Sequence, residues 1–156
     1  MITVEEKLHS FGYNLPKIAP PAGLYSPISS TGNLLFISGQ IPLDTNIDPP
    51  VVKFKGKVGT NLSIANGQEA AKLCTLNALS HLKEYLGSLE NVKQIIKISG
   101  YVNCSDDFAD HPKVINGASE LLLAIFGEKG KHARLAVGMN SLPLNSAVEI
   151  DFIVEI

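Results

Sequence analysis

At the end of the chain, Val148, Ile150, Phe152, Val154 and Ile156 alternate with Glu149, Asp151, Ile153 and Glu155. A period of two over nine residues dictates a β-strand with one buried face, and that face needs an apolar layer to lie against. Two upstream segments can supply it. Ser63 can cap a long helix through Ala70, Leu73, Leu76, Leu79, Leu82 and Leu86, closed by Gly87 where positive φ is tolerated. Pro112 suits the first turn of a second helix, which carries Val114, Ala118, Leu121, Leu122 and Ile125 before Gly127. Both stripes have helical spacing, so the expected architecture is an α+β fold, a mixed β-sheet with two long helices packed on one face.

The remaining segments fit around that frame. Thr3 and Glu6 form a capping box for a short N-terminal helix with Val4, Leu8 and Phe11 at helical spacing. Prolines 16, 20 and 21 then make residues 13–23 an extended arm, so residues 1–23 are a helix and arm attached to a single domain, 1–156. Two short strands are expected around a turn at Thr31-Gly32-Asn33. The apolar run from Leu34 to Ile37 reads as covered on both faces, and an edge strand is expected over 51–57. A central strand over 94–103 places Ile96, Ile98 and Val102 on one face, opposite Ile95, Lys97, Ser99 and Tyr101.

Composition narrows the functional classes. A chain of 156 residues with 45% hydrophobic and 18% charged residues can bury a core, and no apolar run nears the roughly 18 residues of a membrane span. Net charge is −2 and the 13 Lys and Arg are scattered, which disfavours a nucleic-acid surface and leaves neither nucleic acid nor membrane as an expected partner. The N-terminus lacks secretory-signal features, so a cytoplasmic location is expected, with Cys74 and Cys104 reduced.

Phosphate-binding glycine patterns, C-x-x-C and G-x-S-x-G are absent, and the histidines at 9, 81, 111 and 132 lack metal-ligand spacing. Asp106, Asp107 and Asp110 read as a solvated loop leading to a helix N-terminus. Two charged residues in the terminal apolar strands stand out instead. Arg134 reads either as an ion-pair partner of Glu149, Asp151 or Glu155, or as a guanidinium fork for a substrate carboxylate. Glu149 reads either as a solvent-side carboxylate, or as a group that orients water or moves a proton if partial burial raises its pKa.

In order and spacing, Ala133-Arg134, Leu142-Pro143 and Val148-Glu149-Ile150 resemble the C-terminal signature of the RidA/YjgF family of enamine/imine deaminases. Gly23-Leu24-Tyr25-Ser26, Ser38-Gly39-Gln40-Ile41-Pro42 and the stretch 108–116 are similar too. The likeness is to a longer branch that carries an endoribonuclease label. It implies a chorismate-mutase-like fold, a homotrimer with clefts between subunits, and hydrolysis of 2-imino or 2-enamino acids without a metal or cofactor. Arg134 would then hold the substrate carboxylate and Glu149 the water, while Tyr25, Ser38, Gly39 and Asn116 line the cleft.

Ala136 stands where many deaminase members have cysteine; the resemblance implies use of the backbone carbonyl there, so Ala136 would be a binding position whose side chain alters the cleft's shape. If the last two strands formed a simple hairpin, Arg134 and Glu149 would point to opposite faces, and their convergence would need another register, a bulge or two subunits. Besides deamination, the cleft could bind a 2-oxo acid or other small carboxylate without turnover. Ribonuclease activity is the least favoured expectation.

Overall fold

The computed structural model describes residues 1–156. Its first helix, α1 (Val4–Ser10), has the expected box: Glu6 N–H donates to Thr3 Oγ1 at 3.1 Å and Thr3 N–H to Glu6 Oε2 at 2.7 Å. Val4 and Leu8 are buried, whereas Phe11 lies at the C-cap and faces out. The arm that follows has no regular structure and is pinned to the body by Ser80 Oγ donating to the Pro16 carbonyl at 2.8 Å.

Strands β1 (Ile28–Thr31) and β2 (Leu34–Gln40) pair antiparallel around a turn where Gly32 adopts φ 55°. A two-residue pair, β3 (Leu43–Asp44) and β4 (Val51–Val52), comes next. The edge strand expected over 51–57 is therefore cut short. Phe54 at φ 58° and Gly56 at φ 123° turn the backbone out of the extended region and end the pairing.

Helix α2 (Ile64–Leu86) starts at Ser63, whose hydroxyl accepts from Asn66 N–H, and ends at a left-handed Gly87. After it come β5 (Gln94–Asn103), α3 (His111–Phe126), β6 (Ala133–Met139) and β7 (Val148–Glu155). The main sheet has the order β1-β2-β7-β5-β6; only the β5–β6 pair is parallel, joined through α3. Both long helices cover one face, against Leu35, Ile37, Ile98, Val102, Ile150 and Val154. The helices approach closely at Gly117, where a Cβ would strike the Gln68 backbone carbonyl.

Two bulges set which side chains reach which face. On β5, Ile95 pairs with Val154 and Lys97 with Ile153, so Ile96 is the extra residue. Ile95, 1% exposed, consequently joins the helix face, reversing the expected assignment of Ile95 and Ile96. On β2, Ile37 pairs with Phe152 and Gln40 with Ile150, leaving Ser38 and Gly39 opposite Asp151. The far side of the sheet has no covering layer in this chain. Phe36 there is 42% exposed and Leu135 41%, so the run from Leu34 to Ile37 is buried on one face rather than two.

Candidate functional site

Arg134 lies opposite Ile98 in the β5–β6 register and emerges on the helix side of the edge strand. Its Nη1 donates to Asn116 Oδ1 at 2.8 Å and Ser119 Oγ at 3.1 Å, both from α3. None of the five ion pairs includes it, so the alternative of an ion pair with Asp151, Glu149 or Glu155 is not realised. The reason is topological: β5 separates β6 from β7, which carries all three carboxylates. Arg134 therefore presents an uncompensated positive charge and spare donors over an open hollow bounded by Asn116, Ser119, Lys131 and His132.

Ser119 and His132 extend this arrangement. His132 Nδ1 is 2.6 Å from the Gly130 carbonyl, which can only accept, so the proton is assigned to Nδ1. Nε2 then accepts from the Ser119 hydroxyl at 2.9 Å, and the same hydroxyl oxygen accepts from Arg134. A chain of hydrogen bonds thus fixes one edge of the guanidinium and leaves the other free. These two residues were missed as site members in the sequence, although Ser119 follows Asn116 by three positions and so shares its helix face. Ala136, two residues along β6, points to the same side of the sheet as Arg134.

A second group forms on β2 and β7. Glu149 lies opposite Tyr101 on the uncovered side of the sheet, and its carboxylate occupies the space where a Gly39 Cβ would stand. Only glycine permits that approach. Burial raises the Glu149 pKa above its ordinary value, and the neighbouring Asp151 charge adds to the effect. Ser38 Oγ donates to the Ser26 carbonyl at 2.7 Å, which ties the bulge to the segment carrying Tyr25. The Tyr25 ring is exposed and lies beside Gly23.

One chain thus brings the candidate residues together in two sets, Arg134 with Asn116 and Ala136, and Glu149 with Ser38, Gly39 and the Tyr25 segment. The two principal groups leave opposite faces of the sheet. The last two strands are not a hairpin, yet the alternation argument reaches the same separation: Glu149 pairs with Tyr101, Tyr101 with Val137, and Arg134 is an odd number of residues from Val137. The first set can grip a carboxylate through a guanidinium fork. The second holds a carboxylate suited to a water or a proton.

Fold and site together define an α+β domain with an open sheet face and, at its edge, an arginine that pairs with no carboxylate of its own chain. The family whose description reads "YjgF/chorismate mutase-like, putative endoribonuclease" matches residues 5–156, and the chain belongs to that family. It is 39% identical to Protein TCP17 of Trypanosoma cruzi over 98% of this chain and 94% of the relative. A RutC family protein of Pyrococcus horikoshii is 32% identical, covering 92% of this chain and 93% of its own. Among solved structures, a "putative endoribonuclease" of Shewanella oneidensis MR-1 superposes with a TM-score of 0.92 at 37% identity, covering 99% of both chains. No helix is long and apolar enough to cross a membrane.

Proposed function

We propose that this protein hydrolyses reactive 2-imino and 2-enamino acids to 2-oxo acids and ammonia, in clefts formed where copies of the chain meet as a homotrimer. The observation that carries this reading is the Arg134 guanidinium, held on one edge by Asn116 and Ser119 and unpaired with any carboxylate of its own chain. A fork so held suits a ligand carboxylate. Membership of the family supports a role of this kind in general.

The chemistry needs few parts. The C=N carbon is already electrophilic, so orientation, a water and a proton route suffice, and no cofactor is required. With the carboxylate on Arg134, the Glu149 carboxylate accepts a proton from water as the oxygen bonds to that carbon. Glu149 passes that proton to the imine nitrogen, giving a neutral carbinolamine, and then carries the hydroxyl proton to the same nitrogen, so that the C=O bond forms as the C–N bond breaks and ammonia leaves a 2-oxo acid. An enamine first takes a proton on its β-carbon and gives one up from nitrogen, which makes it the imine. Since Arg134 and Glu149 diverge within one chain, the reading calls for one residue from each of two neighbouring copies. The exposed apolar side chains Phe36 and Leu135 on the uncovered sheet face support such self-association.

The test is to generate 2-aminoacrylate in situ and compare its decay with wild-type protein and Arg134→Ala. Faster decay with wild type only is the expected result; identical decay at matched concentrations sinks the reading. A second reading, binding of a 2-oxo acid or other small carboxylate without turnover, is favoured by the Arg134 set being complete within one chain without Glu149. Carboxylate-dependent thermal stabilisation with no catalysis would select it. Ribonuclease activity draws less support, because net charge is −2 and the basic residues are scattered.

A further inference from the structure

Ser119 and His132 stand in the relation of a nucleophile to its base. The imidazole Nε2 is 2.9 Å from Ser119 Oγ, inside the roughly 2.6–3.2 Å that such a pair requires. The base has an orienting partner of its own, because Nδ1–H donates to the Gly130 carbonyl at 2.6 Å and so turns the Nε2 lone pair to the hydroxyl. A carboxylate fills that third place in Ser-His-Asp sites; a main-chain carbonyl fixes the same tautomer without the added charge. Holding Arg134 does not call for this arrangement, since Ser119 Oγ accepts from Nη1 whatever its own proton meets. Imine hydrolysis as described uses neither the imidazole nor the hydroxyl proton.

The surroundings suit acyl transfer. Ser119 and His132 are both partly exposed and line the open hollow at the sheet edge. Oγ has two lone pairs; one accepts from Arg134 at 3.1 Å and the other remains for attack. Asn116 Oδ1 accepts from the same Nη1 at 2.8 Å, so its amide N–H groups, which bond nothing in this chain, are available to an oxyanion. Both Nη1 hydrogens are then used, which leaves the Nε–Nη2 edge of the guanidinium for a ligand carboxylate. Leu123, 43% exposed, adds an apolar wall to the hollow.

We infer that Ser119 and His132 form a second catalytic pair, which hydrolyses small esters that carry a carboxylate. With that carboxylate on Arg134, Ser119 Oγ bonds to the ester carbonyl carbon as its proton passes to His132 Nε2. The tetrahedral oxyanion collapses, the C–O bond to the alcohol breaks, and the imidazolium gives its proton to the departing oxygen. Water then adds to the acyl-serine with its proton taken by the same Nε2, and that proton returns to Ser119 Oγ as the acid leaves. The activity needs no Glu149, so all its residues lie within one chain.

The test is hydrolysis of 3-acetoxybenzoate, whose carboxylate and ester lie across one ring, against phenyl acetate, which lacks the carboxylate. Wild type should release 3-hydroxybenzoate faster than buffer alone, with kcat/KM on the order of tenfold above that for phenyl acetate. Ser119→Ala and His132→Gln should each return hydrolysis to the buffer rate. Since a misfolded variant would also be inactive, wild-type protein is treated with diisopropyl fluorophosphate, and peptide mass spectrometry should find the adduct on Ser119. Wild-type hydrolysis at the buffer rate, equal kcat/KM for the two esters, activity kept by Ser119→Ala, or an adduct found elsewhere or nowhere overturns the inference. Each of these leaves the deaminase reading standing, because 2-aminoacrylate decay is followed separately in the same preparations and asks Ser119 only to hold the guanidinium.

Discussion

Arg134 and Glu149 leave the central sheet from opposite faces, on strands separated by β5. If both act on one substrate, each cleft takes one from each of two copies. Arg134→Ala and Glu149→Gln should each be inactive alone, yet mixed by unfolding and refolding together they should regain roughly a quarter of wild-type activity, the share of clefts that draws both native residues at random. A site contained within one chain would recover nothing. The imine-decay assay on the refolded mixture distinguishes the two.

The Glu149 carboxyl has its pKa raised by burial and then by Asp151, so activity that uses the carboxylate should fall with acidification at a pH above its ordinary value of 4.5. The stability effect has the opposite sense. A carboxyl whose folded pKa exceeds its unfolded pKa binds more protons when folded, so stability declines as pH rises through that interval. Glu149→Gln should therefore raise Tm at neutral pH, and the gain should vanish at pH values below the unfolded pKa. Thermal melts across that range read it directly.

Ser119 holds one edge of the Arg134 guanidinium and joins it to His132. Ser119→Ala should leave the arginine with Asn116 alone and raise KM about five- to tenfold with a smaller change in kcat, as loss of one hydrogen bond to a charged group would. Ser119→Thr, which keeps the hydroxyl, should restore most of the affinity. Equal losses in kcat for both variants would show that Ser119 does more than position the fork.

Gly39 is adjacent to the Glu149 carboxylate, and a Cβ there would displace it. Gly39→Ala should lower kcat/KM by at least tenfold while shifting Tm little, because the exposed edge of the bulge can absorb the added methyl. Steady-state kinetics and a thermal melt on one preparation check both halves.

Gly117 tests the packing of the helix layer. Its missing Cβ lets α3 approach the Gln68 backbone of α2, which is the kind of contact a flexible side chain cannot relieve. Gly117→Ala should cost about 1–3 kcal/mol of folding stability, seen as a lower urea midpoint with unchanged slope.

The sequence by itself determined the elements that rest on local physics. The period-two pattern of 148–156, the caps at Thr3 and Ser63, and the glycine stop at Gly87 are each set by neighbours a few residues away. The motif of Arg134 and Glu149 was legible for the same reason, as charge placed in apolar strands. Tertiary structure decided what depends on pairing across the chain. The extra residue at Ile96 reversed the faces of β5, since a bulge is a property of two strands in register rather than of one. Inserting β5 between the last two strands decided between the two readings of Arg134 left open by its sequence context, by keeping it from the carboxylates of β7. The α3 crossover instead brought Asn116 and Ser119 to that guanidinium, a meeting that depends on how a helix packs on a sheet and that no local pattern encodes.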